Sequence, residues 1–299
     1  LGVAAISFVW LAHPIQVSTV LYVVQRMTLL SATFSLLAIL FYLLGRNYLL
    51  RDELARGIAL ILIGLVPFAL LAVLSKENGV LIYLYVLVLE YTLLASSEQP
   101  KLLQRFRQSL LLATVVIGIV GSIFIMSSTL EGYDLKPFSF SERVLTQFPV
   151  LVSYLASIAL MLPNYFGVFH DDFANGQGVS LIISMALITG LIAVALIKRQ
   201  QWQLFSFAVL WYFAGHALES TFLPLEYYFE HRNYLPLLGP VLALVVFVTD
   251  SLLRLDGNRR NALVVLAAIT VAYMSITTLR QTALWGDALE QAVAAVEQH

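Results

Sequence analysis

The run Glu230-His231-Arg232-Asn233-Tyr234-Leu235-Pro236 sets a carboxylate, an imidazole, a guanidinium and an amide in succession. Such groups can take a proton from a hydroxyl, hydrogen-bond a substrate and hold an anion. The run belongs to a longer stretch, His216 to Pro240, which gathers three glutamates, two histidines and one arginine between apolar segments. Glu230 and Arg232 can neutralise one another at a helix entrance, but four consecutive polar groups with Glu219 and Glu226 nearby exceed what an anchor needs. We read the stretch as a site.

Three smaller groups carry similar chemistry. His13-Pro14 is followed by Gln16, Ser18, Gln25 and Arg26; His13 either caps a helix end, with Pro14 starting the next, or faces a substrate. Ser75-Lys76-Glu77-Asn78-Gly79 is either a tight turn with a surface Lys-Glu pair, worth about 0–1 kcal/mol, or a loop that aims Lys76 into a shared cavity. Phe169-His170-Asp171-Asp172-Phe173 sets two carboxylates beside an imidazole, as metal ligands, a general base or turn formers. With no HExxH and no Asp-x-Asp at ligand spacing, the sequence predicts no metal site and no cofactor, and leaves a divalent metal open.

The elements that must position these residues follow from composition. The chain is 60 % hydrophobic and 12 % charged, with mean hydropathy +0.86, far from the usual soluble domain. A formal net charge of -1 and no long basic run give no reason to expect nucleic acid. Without cysteine, disulfides, thiol catalysis and Cys-ligated zinc are excluded. The apolar runs are continuous and lack strand alternation, so the expected fold is an all-α, polytopic transmembrane helical bundle. The short first run and the absence of an initial Met suggest an N-terminal truncation inside a helix.

Apolar runs fall at 27–44, 58–74, 80–95, 109–126, 179–197, 204–217, 235–253 and 262–279. Arg46, Arg51 and Arg56, Lys101, Arg105 and Arg107, Lys198 and Arg199, and Arg254, Arg259 and Arg260 then form four basic loops. The positive-inside rule puts those loops in the cytoplasm and every polar group above on the outer face. Residues 141–162 strain this scheme, because a net crossing there would put Lys198 and Arg199 on the wrong side. We expect an outer interfacial helix or a re-entrant hairpin broken near Pro149. Residues 1–280 read as the membrane domain. Residues 281–299, with Trp285, Leu289, Val293 and Val296 at near-helical spacing, read as the start of an outer helical domain.

The set His13-Pro14-Ile15-Gln16-Val17, Ser75 to Gly79, Pro163-Asn164-Tyr165 with Phe169 to Asp172, Glu219-Ser220-Thr221, Glu230 to Pro236 and Trp285 to Leu289 resembles GT-C type glycosyltransferases. The likeness is to the multi-span enzymes followed by tetratricopeptide repeats, which include protein O-mannosyltransferases and bacterial relatives. Gln16 and Ser18 stand where the secretory-pathway members have histidine and glutamate. Arg232 is displaced by one position, with His231 in its place, so the resemblance speaks for the wider superfamily rather than for mannose.

That resemblance implies a sugar donor on a polyprenyl phosphate or pyrophosphate, a protein or glycan acceptor, and a bilayer, here a bacterial inner membrane with a periplasmic active face. Arg26, Lys76 and Arg232 are the outward cations best placed by sequence to meet that phosphate, with His13 or His231 as hydrogen-bond donors. Glu77, His170, Glu219 and Asn233 join them in substrate binding. Asp171, Asp172 and Glu230 are the available catalytic carboxylates, although the superfamily's main base sits in a first outer loop that precedes Leu1. A lipid-linked glycan polymerase or ligase, a transporter and a non-catalytic scaffold are the other classes compatible with the sequence.

Overall fold

Long apolar runs with few breakers favour helices, because a chain in lipid must satisfy its backbone hydrogen bonds internally. The computed structural model describes residues 2–95, 100–162, 166 and 178–297, without the side chains of 122, 124–130 and 295–297. Among the described residues there is no strand. The order is α1 (Gly2–Leu11), α2 (Val17–Leu21), α3 (Arg26–Leu50), α4 (Leu54–Ile63), α5 (Ala69–Ser75), α6 (Ile82–Tyr91), α7 (Lys101–Tyr133), α8 (Phe140–Leu160), α9 (Val179–Ile197), α10 (Gln203–His216), α11 (Leu238–Arg254), α12 (Gly257–Gly286) and α13 (Ala288–Glu297).

Six described helices are long and apolar enough to cross a membrane: Val23–Leu50, Leu54–Ser75, Lys101–Gly121, Phe140–Leu160, Val179–Ile197 and Gly257–Gly286. Gly2–Leu11 and Pro14–Leu21, bent by 58°, add a seventh if they act as one broken span. In α7 and α12 only 11 % of the most apolar window is buried, so lipid must cover the rest. The chain is a helical membrane protein. The expected runs at 80–95 and 204–217 become shorter helices, α6 of 10 residues and α10 of 14. Lys101, Arg105 and Arg107 lie on the first turns of α7 rather than in a loop.

Small residues let the helices approach closely where lipid supplies no hydrophobic drive. On the α3–α4 hairpin a Cβ at Gly45 would lie 2.6 Å from the Gly57 carbonyl oxygen. Pro67 falls in a π-helical turn, Gly64–Phe68, that joins α4 to α5, and the Tyr83 hydroxyl donates to the Leu65 carbonyl there at 2.9 Å. Tyr42, Ile82, Tyr85, Val86, Phe207 and Trp211 form the core between α3, α6 and α10.

Of the two forms expected at 141–162, an outer interfacial helix or a hairpin broken near Pro149, the hairpin is overturned. Helix α8 runs through Pro149 without a break, closed at its start by a capping box in which Ser139 and Glu142 satisfy one another's backbone N–H groups. Its polar residues Arg143, Thr146, Gln147, Tyr154 and Ser157 recur at helical spacing and are all buried. That stripe packs on protein and is not offered to water. At the other end of the chain α12 continues unbroken through residue 280, and the Asp287 carboxylate accepts from the N–H groups of Leu289 and Glu290 to start α13.

Candidate functional site

Three segments bring the central residues together. Lys76 follows the end of α5, where the backbone turns extended before a tight turn over Glu77–Leu81. Glu219 follows α10, and the turn Glu230–Asn233 precedes α11. The Lys76 ammonium meets Glu219 Oε1 at 2.7 Å, and Arg232 Nε stands 3.9 Å from Glu219 Oε2, with all three side chains at most 4 % exposed. The surface Lys76–Glu77 pair and the Glu230–Arg232 pair considered from the sequence are thus replaced by a buried triad.

Each cation has further partners. Lys76 donates to Thr28 Oγ1 at 3.2 Å, and Thr28 in turn donates to Gln25. Arg232 donates to the carbonyls of Tyr227 and Glu226 at 3.0 and 2.9 Å and lies over the Phe229 ring. Its Nε and the facing Glu219 Oε2 are buried without a hydrogen bond. That leaves a donor and an acceptor 3.9 Å apart, too far for a hydrogen bond.

Electrostatics separates the titratable members. Burial alone would raise the Glu219 carboxyl, but Lys76 and Arg232 outweigh it and hold the group below its ordinary value. Burial pushes the His231 imidazole down to about 3, with Lys76 adding to the effect. His231 is therefore neutral, stacks on Phe229, and makes no hydrogen bond through its ring among the described residues. Such a ring can donate from one nitrogen and accept at the other.

Helix α8 splints the segment that carries Glu219. Arg143 donates to the carbonyls of Glu219 and Leu223 at 2.8 and 3.2 Å, and Gln147 donates to that of Tyr227 at 3.1 Å. The Tyr154 hydroxyl donates to the Phe229 carbonyl and accepts from the Phe229 N–H. His216 bridges Ser220 and Asn233 at 3.2 Å each, and Asn233 closes its own turn on the Glu230 carbonyl. Sequence reading missed Arg143, Gln147 and Tyr154, and it placed His216 in the polar stretch without giving it a role. The available signal was an arginine and a glutamine on one face of an otherwise apolar helix.

A cavity of about 30 Å³ adjoins the triad, lined by Lys76, His231 and Arg232 with Ser31, Ser35 and Tyr85. Its size suits roughly two waters and is far below the 300 Å³ or more of a typical ligand pocket. Gly215 lies on its wall, where a Cβ would collide with the Tyr85 hydroxyl and the Pro236 ring.

The remaining predicted residues fall elsewhere. His13 is buried, its Nδ1 accepting from the Ile15 N–H and its Nε2 set against the Ile158 carbonyl, so it caps the turn begun by Pro14 and lies off the cavity wall. Arg26 and Glu77 are exposed and belong neither to the triad nor to the cavity lining. Glu230 is buried in its turn. His170, Asp171 and Asp172 lie outside the described residues. No three His, Asp or Glu side chains among the described residues are placed to share a metal ion. No family model, characterised protein or solved structure matches this chain.

Proposed function

We propose that the chain is the membrane part of a GT-C type glycosyltransferase that takes a sugar from a polyprenyl-phosphate or -pyrophosphate donor and passes it to a protein hydroxyl. The observation that carries this reading is the convergence of Lys76 and Arg232, from separate segments, on one buried carboxylate beside a cavity. Glu219 holds the place of an anion. A phosphate entering there meets two cations already desolvated and oriented, which is what a departing phosphate requires.

In the transfer the acceptor hydroxyl oxygen bonds to the anomeric carbon while the carbon–oxygen bond to phosphate breaks. The bonding pair leaves with the phosphate, whose charge Lys76 and Arg232 stabilise, and the hydroxyl proton goes to a carboxylate. Asp171 and Asp172 are the candidates for that base, with Glu230 behind them. His231, neutral and on the cavity wall, supplies a hydrogen bond to sugar or phosphate oxygen. A cavity of about 30 Å³ must widen about tenfold to admit a sugar phosphate, so the 217–229 segment or its neighbours must move. The bilayer holds the polyprenyl chain, and a bacterial inner membrane with the triad on its periplasmic side is the setting this reading implies.

A transporter fits less well. Among the described residues the buried Lys, Arg, Asp and Glu side chains fall at the two ends of the bundle, Lys76, Arg143, Glu219, Glu230 and Arg232 at one and Arg46 and Glu90 at the other, whereas a transport path calls for ionisable groups near the middle. The test uses the full-length protein in nanodiscs with radiolabelled polyprenyl-phosphate and -pyrophosphate sugars and candidate protein acceptors, with and without EDTA. Label reaching protein, and falling at least 100-fold in Arg232→Gln of unchanged thermal stability, supports the reading. Folded wild-type protein that neither transfers nor hydrolyses any donor ends it.

A further inference from the structure

The opposite end of the bundle holds a second set of cations built on a different plan. Tyr91, the last residue of α6, lies under two guanidinium groups. That of Arg107, from α7, is 4.7 Å from the ring centroid, and that of Arg199, from the turn after α9, is 5.7 Å away. Three segments distant in sequence therefore gather two like charges on one ring. A tyrosine face attracts each cation but neutralises neither.

Arg51, Arg105, Arg259 and Arg260 at this end are exposed to solvent, and three others have a carboxylate of their own. Arg46 has Glu90, Arg56 has Glu53 and Arg254 has Asp250. Arg107 and Arg199 have none among the described residues, and Arg107 Nε is buried without an acceptor. Glu90, the carboxylate nearest in sequence to Tyr91, is already held by Arg46 and by the Tyr42 hydroxyl. Two cations gathered and uncompensated in this way are stabilised by an anion that bridges them.

The surroundings indicate which anion. Ile197, two residues before Arg199, is 76 % exposed, and Trp202, 54 % exposed, lies under the Lys198 ammonium at 5.8 Å. An exposed apolar helix end, then a basic pair, then an interfacial tryptophan is the order met in passing from acyl chains to headgroups. Basic pockets between helix ends are where anionic headgroups seat. We propose that Arg107 and Arg199, set on Tyr91, bind the phosphate of an anionic phospholipid in the leaflet at this end of the bundle.

The full-length protein is solubilised in mild detergent and titrated with phosphatidylglycerol, phosphatidylcholine or inorganic phosphate, with bound lipid read by native mass spectrometry and stability by thermal melting. Wild type should retain one phosphatidylglycerol tightly, with a rise in Tm that phosphatidylcholine does not give and that inorganic phosphate gives only weakly. Arg199→Gln, a change in a surface turn, should weaken that adduct about tenfold, and Arg107→Gln/Arg199→Gln should abolish it. Lys101→Gln/Arg105→Gln, which removes the same charge from exposed positions on α7, should leave the adduct in place. Should the Arg107 variant fail to fold, Arg199→Gln and the loss of the wild-type adduct at high salt still decide. Equal adducts in Arg199→Gln and the Lys101/Arg105 control overturn the proposal, as does a stabilisation that inorganic phosphate reproduces in full or that phosphatidylcholine matches.

Discussion

Helix α3 connects two buried ion pairs of opposite design. Near its start, Thr28 touches the Lys76–Glu219–Arg232 triad; near its end, Arg46 binds Glu90. Eighteen residues of helix, about 27 Å at 1.5 Å per residue, separate the two, close to the thickness of a bilayer core. At the Glu90 end the partners sit on α3 and α6, where Arg46 and the Tyr42 hydroxyl both donate to Glu90 Oε1 and Arg46 also reaches the Leu94 carbonyl, while Glu90 Oε2 is buried without a hydrogen bond. At the Glu219 end the partners sit on turns and a connecting segment, and a cavity, a neutral histidine and an unbonded N–H facing an unbonded carboxylate oxygen remain. A pair carried by helices staples the bundle. A pair carried by turns can open, as the proposed transfer requires.

Four measurements break or sharpen this contrast. The largest effect belongs to the staple: Glu90→Leu leaves Arg46 buried without its carboxylate and should cost about 3–5 kcal/mol of stability. Transfer per folded molecule should stay near wild type; a specific loss of transfer would make the two ends one functional unit. At the other end, Lys76→Met and Glu219→Gln each strand a buried partner, whereas the double variant removes both charges. Denaturation of the four proteins should give a coupling of about 1–3 kcal/mol, and no coupling would mean that Lys76 and Glu219 do not act as a pair.

Acid should loosen the triad end first. His231 is neutral in the fold at about 3 against 6.5 when unfolded, so the unfolded chain binds more protons between those values and stability falls as pH drops through them. Glu219, also held low, adds a further loss once pH passes below its ordinary value of 4.5. Melting curves of wild type and His231→Gln from pH 7 to 4 should diverge, the variant losing less; parallel curves would place the sensitivity elsewhere. The smallest effects belong to Arg26→Ala and Glu77→Ala, exposed and outside both pairs, which should shift stability by no more than about 0.5 kcal/mol and leave transfer unchanged. A transfer defect in either would return it to the site.

The identity of the polar cluster was legible because its residues are rare in so apolar a chain. Lys76, Glu219, His231 and Arg232 stood out by type, and the structure does gather them. Their pairing was not legible. Glu77 is adjacent to Lys76, yet the extended backbone at Lys76 aims its ammonium at a carboxylate 143 positions on. His13 looked as much like a ligand as a cap, and the choice rested on whether its ring nitrogens would find backbone partners. Arg143 escaped notice because one arginine near a helix start resembles an interfacial anchor until the loop it binds is in place.

By itself the sequence determined a helical membrane bundle, the approximate position of the long spans and the residues able to do chemistry, because hydropathy and side-chain type are local properties. It also suggested a break at Pro149, where the helix instead continues. Tertiary structure decided which carboxylate each cation meets, that α8 turns its polar stripe inward, and that the cavity has room for roughly two waters. Those outcomes depend on burial and on contacts between segments far apart in the chain, where the gain from pairing a desolvated charge outweighs any preference of its sequence neighbours.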